Sequence, residues 1–135
     1  MLEEWLALPD VIERASATPE TVHHLLEANL VASNMILAAL GTDNYYFDWS
    51  WLMPDEQWTA RLGYDKVAPE PAIELFRALT KYFSALLGRD PNLLQRTIRL
   101  KNSGDSEPYT ITVAEILGRE VEHAREHLSR LPHPS

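Results

Sequence analysis

Helix start and stop signals bracket nearly every apolar stretch of this chain, and that pattern constrains the fold more than any other feature of the sequence. The clearest case is residues 18–41. Thr18 suits a helix N-cap, Pro19 suits the first helical position, and Glu20 sits near the positive end of the dipole. Apolar residues fill 22–40, and Gly41 supplies the stop. In residues 71–87, Ala72, Leu75, Phe76, Leu79, Phe83 and Leu86 recur at helical spacing, which makes one apolar stripe before Gly88 closes it. A further helix begins at Thr112, where Glu115 completes a capping-box pattern. Val113, Ile116, Leu117, Val121, Ala124, Leu128 and Leu131 form its stripe, and Pro132 and Pro134 end it. Residues 2–15 give a weaker helix, which Pro9 is expected to kink or restart. Three long amphipathic helices and a weaker first one predict an all-α fold. The expected architecture is an antiparallel four-helix bundle with a short first helix, in a single domain.

The connections carry less pattern. Tyr45-Tyr46-Phe47-Asp48-Trp49-Ser50-Trp51-Leu52-Met53-Pro54 is aromatic and too irregular for a regular element. A short helix is expected from Asp55 to Leu62, ending at Gly63, and a helical turn at Pro91–Gln95. Residues 99–108 are polar and contain Gly104, so they read as a loop. No segment reads as a strand.

Charge and composition narrow the function. Twelve Lys and Arg against 20 Asp and Glu give a net charge of −8. That balance argues against nucleic acid and against an anionic membrane surface, both of which need clustered cations. The chain has no cysteine, so disulfides, thiol nucleophiles and cysteine metal sites are excluded. The N-terminus has no basic segment leading into an apolar run, and no uninterrupted run of about 18 apolar residues occurs. The cytoplasm is the expected location.

Any metal site must therefore use His, Asp or Glu. His123 and His127 are four residues apart, which places them on one helix face with Cβ atoms roughly 5–6 Å apart. That separation lets two imidazoles reach one ion at about 2.0–2.1 Å. Both lie at the edge of the apolar stripe, in line with Ile116 and Glu120. A third donor is available in the tandem His23-His24. The line through His24 carries Ala28, Val31, Met35 and Ala38, and the line through His23 carries Leu26, Leu30, Asn34 and Leu37. Facing favours His24 only modestly and leaves His23 open. His133, beyond the last helix, reads as solvated. The plain alternative is a surface pair and one core-edge histidine bonded to a carbonyl.

These residues resemble the DinB/YfiT-like superfamily of metalloenzymes. Val22-His23-His24-Leu25-Leu26-Glu27 is similar to its His-Leu-Ala-Asp motif, with His24 on the metal-binding histidine and Glu27 in place of Asp. The stretch from Trp58 to Tyr64 is similar to a Trp-Ala-x-Arg-Leu-Gly-Tyr segment of many members. Residues 72–87 and the helix from Thr112 through His123 and His127 are similar to its third and last helices. The resemblance spans about residues 20–131. It implies that His24, His123 and His127 hold one divalent ion, usually nickel or zinc, in an open pocket at one end of the bundle. It also implies a homodimer. Ala17-Thr18 stand where members commonly carry Trp-Ser, so the first helix is expected to be abbreviated or completed by a partner.

The function expected is that of a divalent-metal-binding protein, a metal-dependent thiol S-transferase or hydrolase acting on a small molecule. The alternatives are a non-catalytic metal-binding bundle and a plain dimerising one. Glu120 is the candidate fourth ligand or general base, with a surface carboxylate as its plain reading. Glu27 is expected to orient a ligating histidine through the free ring nitrogen. Tyr45, Tyr46, Trp49, Trp51 and Trp58 either wall the site or, as the favoured reading, cap the open end of the bundle.

Overall fold

The computed structural model describes residues 2–52, 56–102 and 107–131. Met53, Pro54 and Asp55, Gly104, and the tail bearing Pro132, His133 and Pro134 lie outside the described residues, so the expectations placed on them stay with the sequence. Among the described residues five α-helices and three strands follow in the order α1 (Leu2–Arg14), α2 (Pro19–Gly41), β1 (Tyr45–Asp48), α3 (Glu56–Leu62), α4 (Glu70–Leu87), β2 (Thr97–Lys101), β3 (Tyr109–Thr112) and α5 (Val113–Ser129). A 3-10 turn at Pro91–Gln95 stands where the sequence placed a helical turn.

The helix ends form as the local chemistry dictates. Thr18 accepts from the Thr21 amide at the start of α2. Thr112 and Glu115 bond reciprocally at the start of α5, which satisfies two backbone donors that would otherwise be orphaned. Gly63 ends α3 in the left-handed region with φ 65°, a conformation that a residue with a Cβ adopts only at a cost. Helix α1 runs through Pro9 without a restart and buries Trp5, Leu8, Pro9 and Ile12.

Both α1 and α2 pack against α4 and α5, which gives a ring order α1–α4–α2–α5. Charged ties and side-chain neighbours set the directions. Arg77 in the first half of α4 bonds Asp10 and Glu13 at the end of α1. Arg125 of α5 bonds Glu4 of α1. The first turns of α2 meet the last turns of α5 through their histidines. The ring is therefore mixed: α1 runs antiparallel to α4 and α2 to α5. Helices α2 and α4 start at the same end, where His23 bonds the Val67 and Ala68 carbonyls. The end of α1 is tied to the start of α2 by residues 15–18, so α1 runs parallel to α5. This corrects the expected antiparallel bundle. The bundle is filled by Trp5, Ile12, Leu25, Ile36, Phe76, Leu87, Leu117 and Val121, all buried.

The all-α expectation is corrected by a three-stranded sheet. Strand β1 pairs parallel with β2, from Tyr45 opposite Ile98 to Asp48 opposite Lys101, and β2 pairs antiparallel with β3. Two segments read as irregular or loop, 45–48 and 99–101, thus become strands. Ile98, Leu100 and Ile111 point into the core, while Arg99 and Thr110 face out. Two inward apolar residues in five are too few to show as a strand in the sequence; burial against the bundle decides the matter. The sheet joins the end of α2 to the start of α5, opposite the end that carries the histidines. Arg96 secures this junction, where its guanidinium donates to the carbonyls of Ala39 and Leu40 in the last turn of α2.

By length and mean hydropathy α2 would pass as a membrane span, despite the polar residues that interrupt it. In the fold it is one of the four bundle helices, packed on α4, α5 and the sheet.

Candidate metal centre

His24 lies in the second turn of α2, and His123 and His127 lie in the last turns of α5. Antiparallel packing brings the three rings to one end of the bundle. One ligand nitrogen from each lies within 4.8 Å of the others. Ring centroids are 5.1 Å apart for His24 and His123, 4.6 Å for His24 and His127, and 4.5 Å for His123 and His127. The Nε2 atoms of His123 and His127 are 3.0 Å apart. Bonds of about 2.05 Å to a shared ion place two nitrogens roughly 2.9 Å apart at a right angle and roughly 3.3 Å apart at a tetrahedral one. The observed spacing lies in that range. A direct hydrogen bond between two neutral imidazoles is the other arrangement with such a spacing.

His24 has one ring nitrogen on the Glu27 side. Its Nδ1 is buried and has no hydrogen-bond partner, and Glu27 Oε1 is 4.0 Å away. A buried imidazole nitrogen without a partner is costly, whatever its other ring nitrogen engages. With Nδ1 directed at Glu27, Nε2 is the nitrogen left for an ion. The donor set is all imidazole, which suits zinc, nickel, copper or iron.

His23 is accounted for differently. One residue along the helix, its ring turns away from the cluster, and Nε2 lies 3.2 Å from the Val67 carbonyl and 3.0 Å from the Ala68 carbonyl. Two carbonyl acceptors require a donor between them, so this nitrogen carries a proton and is no metal ligand. The ring also stacks on Tyr64, with centroids 5.4 Å apart.

The cluster opens onto a cleft of 630 Å³ lined by Glu20, Thr21, His24, Thr59, Ala60, Asp65, His123 and His127. None of the five aromatics lines it. Tyr45, Tyr46 and Trp51 are exposed, and Trp51 packs edge-on against Trp58. Sequence reasoning missed Glu20, Thr21 and Asp65 as wall residues. Thr59 and Ala60 fall within the Trp58–Tyr64 motif, which was the available signal.

Glu120 is not placed as a fourth ligand. Among the described residues the donor group contains only the three histidines. Glu120 lines a separate pocket of 60 Å³ with Ala28, Ala32, Met35, Trp49, Leu100, Ile111, Ile116 and Arg119. That pocket is one helical turn nearer the sheet. Burial there pushes the Glu120 carboxyl up to about 8. The folded state then keeps a proton that the unfolded chain releases near its ordinary pKa of 4.5, so stability falls as pH rises from about 4.5 to 8. Glu120→Gln is expected to flatten that slope and raise stability at pH 8 by about 1–3 kcal/mol, the usual scale for an uncompensated buried polar group. Denaturant titrations of both proteins at pH 5 and pH 8 check this; a parallel pH response in the two would contradict it.

Glu27 holds a position beside His24. Tyr64 Oη donates to its Oε2 at 2.5 Å. Burial, and then the adjacent Glu27 carboxylate, raise the Tyr64 phenol well above its ordinary value, so it remains a donor at neutral pH.

The chain is thus a helical bundle with an all-histidine donor group at the floor of an open cleft, and its fold is of the DinB/YfiT-like type. Among solved structures the chain is similar to YfiT from Bacillus subtilis, described as "a probable metal-dependent hydrolase with an unusual four-helix bundle topology". The match covers 95% of this chain and 79% of that one, with a TM-score of 0.74 and 17% sequence identity. At that identity the likeness shows a shared fold. No family model and no curated protein matches the sequence.

Proposed function

We propose that His24, His123 and His127 hold one divalent metal ion, nickel or zinc, and that the protein is a metal-dependent hydrolase of a small molecule. The observation that carries this reading is the open cleft directly above the three converging imidazoles. Structural metal sites are closed by four protein ligands, whereas three ligands and a cleft leave positions for water and substrate. When bound, a divalent ion supplies Lewis acidity that polarises a carbonyl or a water molecule near neutral pH.

The chain's own residues contribute position. Glu27, 4.0 Å from His24 Nδ1, would orient that ring in the loaded site, and the Thr21 and Thr59 hydroxyls offer hydrogen bonds to a bound molecule. Glu20 and Asp65 make the rim acidic. The description of the structural neighbour as a hydrolase supports hydrolysis over thiol transfer, for which the same open site would also serve. A cysteine-free chain of net charge −8 supports a cytoplasmic protein.

Metal-loaded protein without a histidine tag should hydrolyse at least one member of a panel of small esters, amides and lactams faster than free metal does. His127→Ala should lose that turnover. Rates equal to free metal across the panel would favour a structural ion.

A further inference from the structure

A polar chain leads away from the three-histidine cluster and ends in the cleft wall. His24 Nδ1 faces Glu27 Oε1 at 4.0 Å, and the other oxygen of Glu27 accepts from Tyr64 Oη. Tyr64 opens a 3-10 turn, Tyr64–Lys66, whose Asp65 lines the cleft. His23 fixes the same segment from the other side, stacking on the Tyr64 ring and bonding the carbonyls of Val67 and Ala68. The tandem histidines therefore divide their work. His24 faces the cluster, and His23 pins the wall segment to α2.

The 4.0 Å gap is the informative distance. It is too long for a hydrogen bond, although both groups are nearly buried, with 12% and 11% of their side-chain surfaces exposed. An ion on Nε2 would leave the Nδ1–H more acidic and a better donor, and a small closing movement would complete the pair. That movement requires a Glu27 carboxylate whose other oxygen is already held. Tyr64 is the residue that holds it.

We propose that Tyr64 is a positioning residue for metal binding. Its hydroxyl fixes Glu27, Glu27 fixes His24, and the wall segment 64–68 is thereby set together with the metal ligand. This rests on the metal reading of His24, His123 and His127. Because coupling is reciprocal, filling the site tightens the wall, and loosening the wall weakens the site.

The test uses the full chain without a tag and zinc alone as the probe, in wild type, Tyr64→Phe, Glu27→Gln, the double variant and His24→Ala. Tyr64→Phe keeps the ring that stacks on His23 and removes only the hydroxyl. It should bind zinc about tenfold more weakly, within the 10–100-fold typical of groups that support a ligand. Its metal-free melting temperature should stay near that of wild type. Zinc should slow amide exchange at residues 64–68 in wild type and much less in Tyr64→Phe. The double variant should bind no more weakly than Glu27→Gln alone, since both changes break one chain. Wild-type affinity and wild-type exchange protection in Tyr64→Phe would overturn the proposal, as would additive losses in the double variant. Failure of the metal reading looks different: wild type itself would take up no zinc, or His24→Ala would bind it as well as wild type does.

Discussion

Replacing His24 with alanine is expected to lower divalent-metal affinity by more than about a hundredfold, beyond the effect usual for losing a group that merely supports a ligand. The two remaining imidazoles come from one helix, His123 and His127 on α5, and would hold an ion only as an i, i+4 chelate. His24 is the donor that ties the ion to α2. Binding to the folded state alone raises stability by mass action, so zinc should raise the melting temperature of wild type and leave that of His24→Ala nearly unchanged. Metal analysis after dialysis, paired with thermal melts with and without zinc, measures both. Unchanged metal content and an unchanged zinc response in the variant would remove His24 from the site. His23→Ala is the matched control; it should retain the metal, because its ring is bonded to the Val67 and Ala68 carbonyls instead.

The second large effect concerns the fold itself. Trp5→Ala is expected to cost about 3–5 kcal/mol, the range for truncating a large buried aromatic. Trp5 is completely buried and anchors α1, the weakest helix by sequence, against α4 and α5. In a chain of this size the loss corresponds to a fall of roughly 10–20 °C in melting temperature. Were α1 an accessory helix completed by another subunit, the change would be small or would depend on protein concentration. Thermal melts over a range of concentrations decide between these outcomes. Below its own transition, Trp5→Ala should still take up zinc, since it touches none of the three histidines.

The helices were legible because their signals are local. The Thr18 cap, the capping box of Thr112 and Glu115, and the stops at Gly41, Gly63 and Gly88 each act within a turn or two. The sheet was not legible, because nothing near Tyr45 announces that it pairs with Ile98. Thr97-Ile98-Arg99-Leu100-Lys101 becomes a strand when Ile98 and Leu100 meet the core, a tertiary event that overrides a mostly polar reading.

The site shows the same division. The i, i+4 spacing was enough to put His123 and His127 side by side. Facing alone left His23 and His24 open and the resemblance pointed to His24; the packing of the Tyr64–Ala68 segment gives His23 its own acceptors. Glu120 misled for a geometric reason. It shares a helix face with the histidines but sits one turn back from His123, beside Met35 and Trp49 in an apolar pocket. The aromatics misled because composition does not say which end of a bundle they cover. Trp49 instead bonds Asn102 at the sheet end.

The most direct measurement is anomalous diffraction from crystals of tag-free protein soaked in zinc. The account predicts one strong peak per chain, at about 2.0–2.1 Å from one nitrogen each of His24, His123 and His127. The peak should leave at least one coordination position open to the cleft bounded by Thr21, Thr59 and Asp65. A peak elsewhere, or no peak with the Nε2 atoms of His123 and His127 still 3.0 Å apart in a direct hydrogen bond, would contradict it.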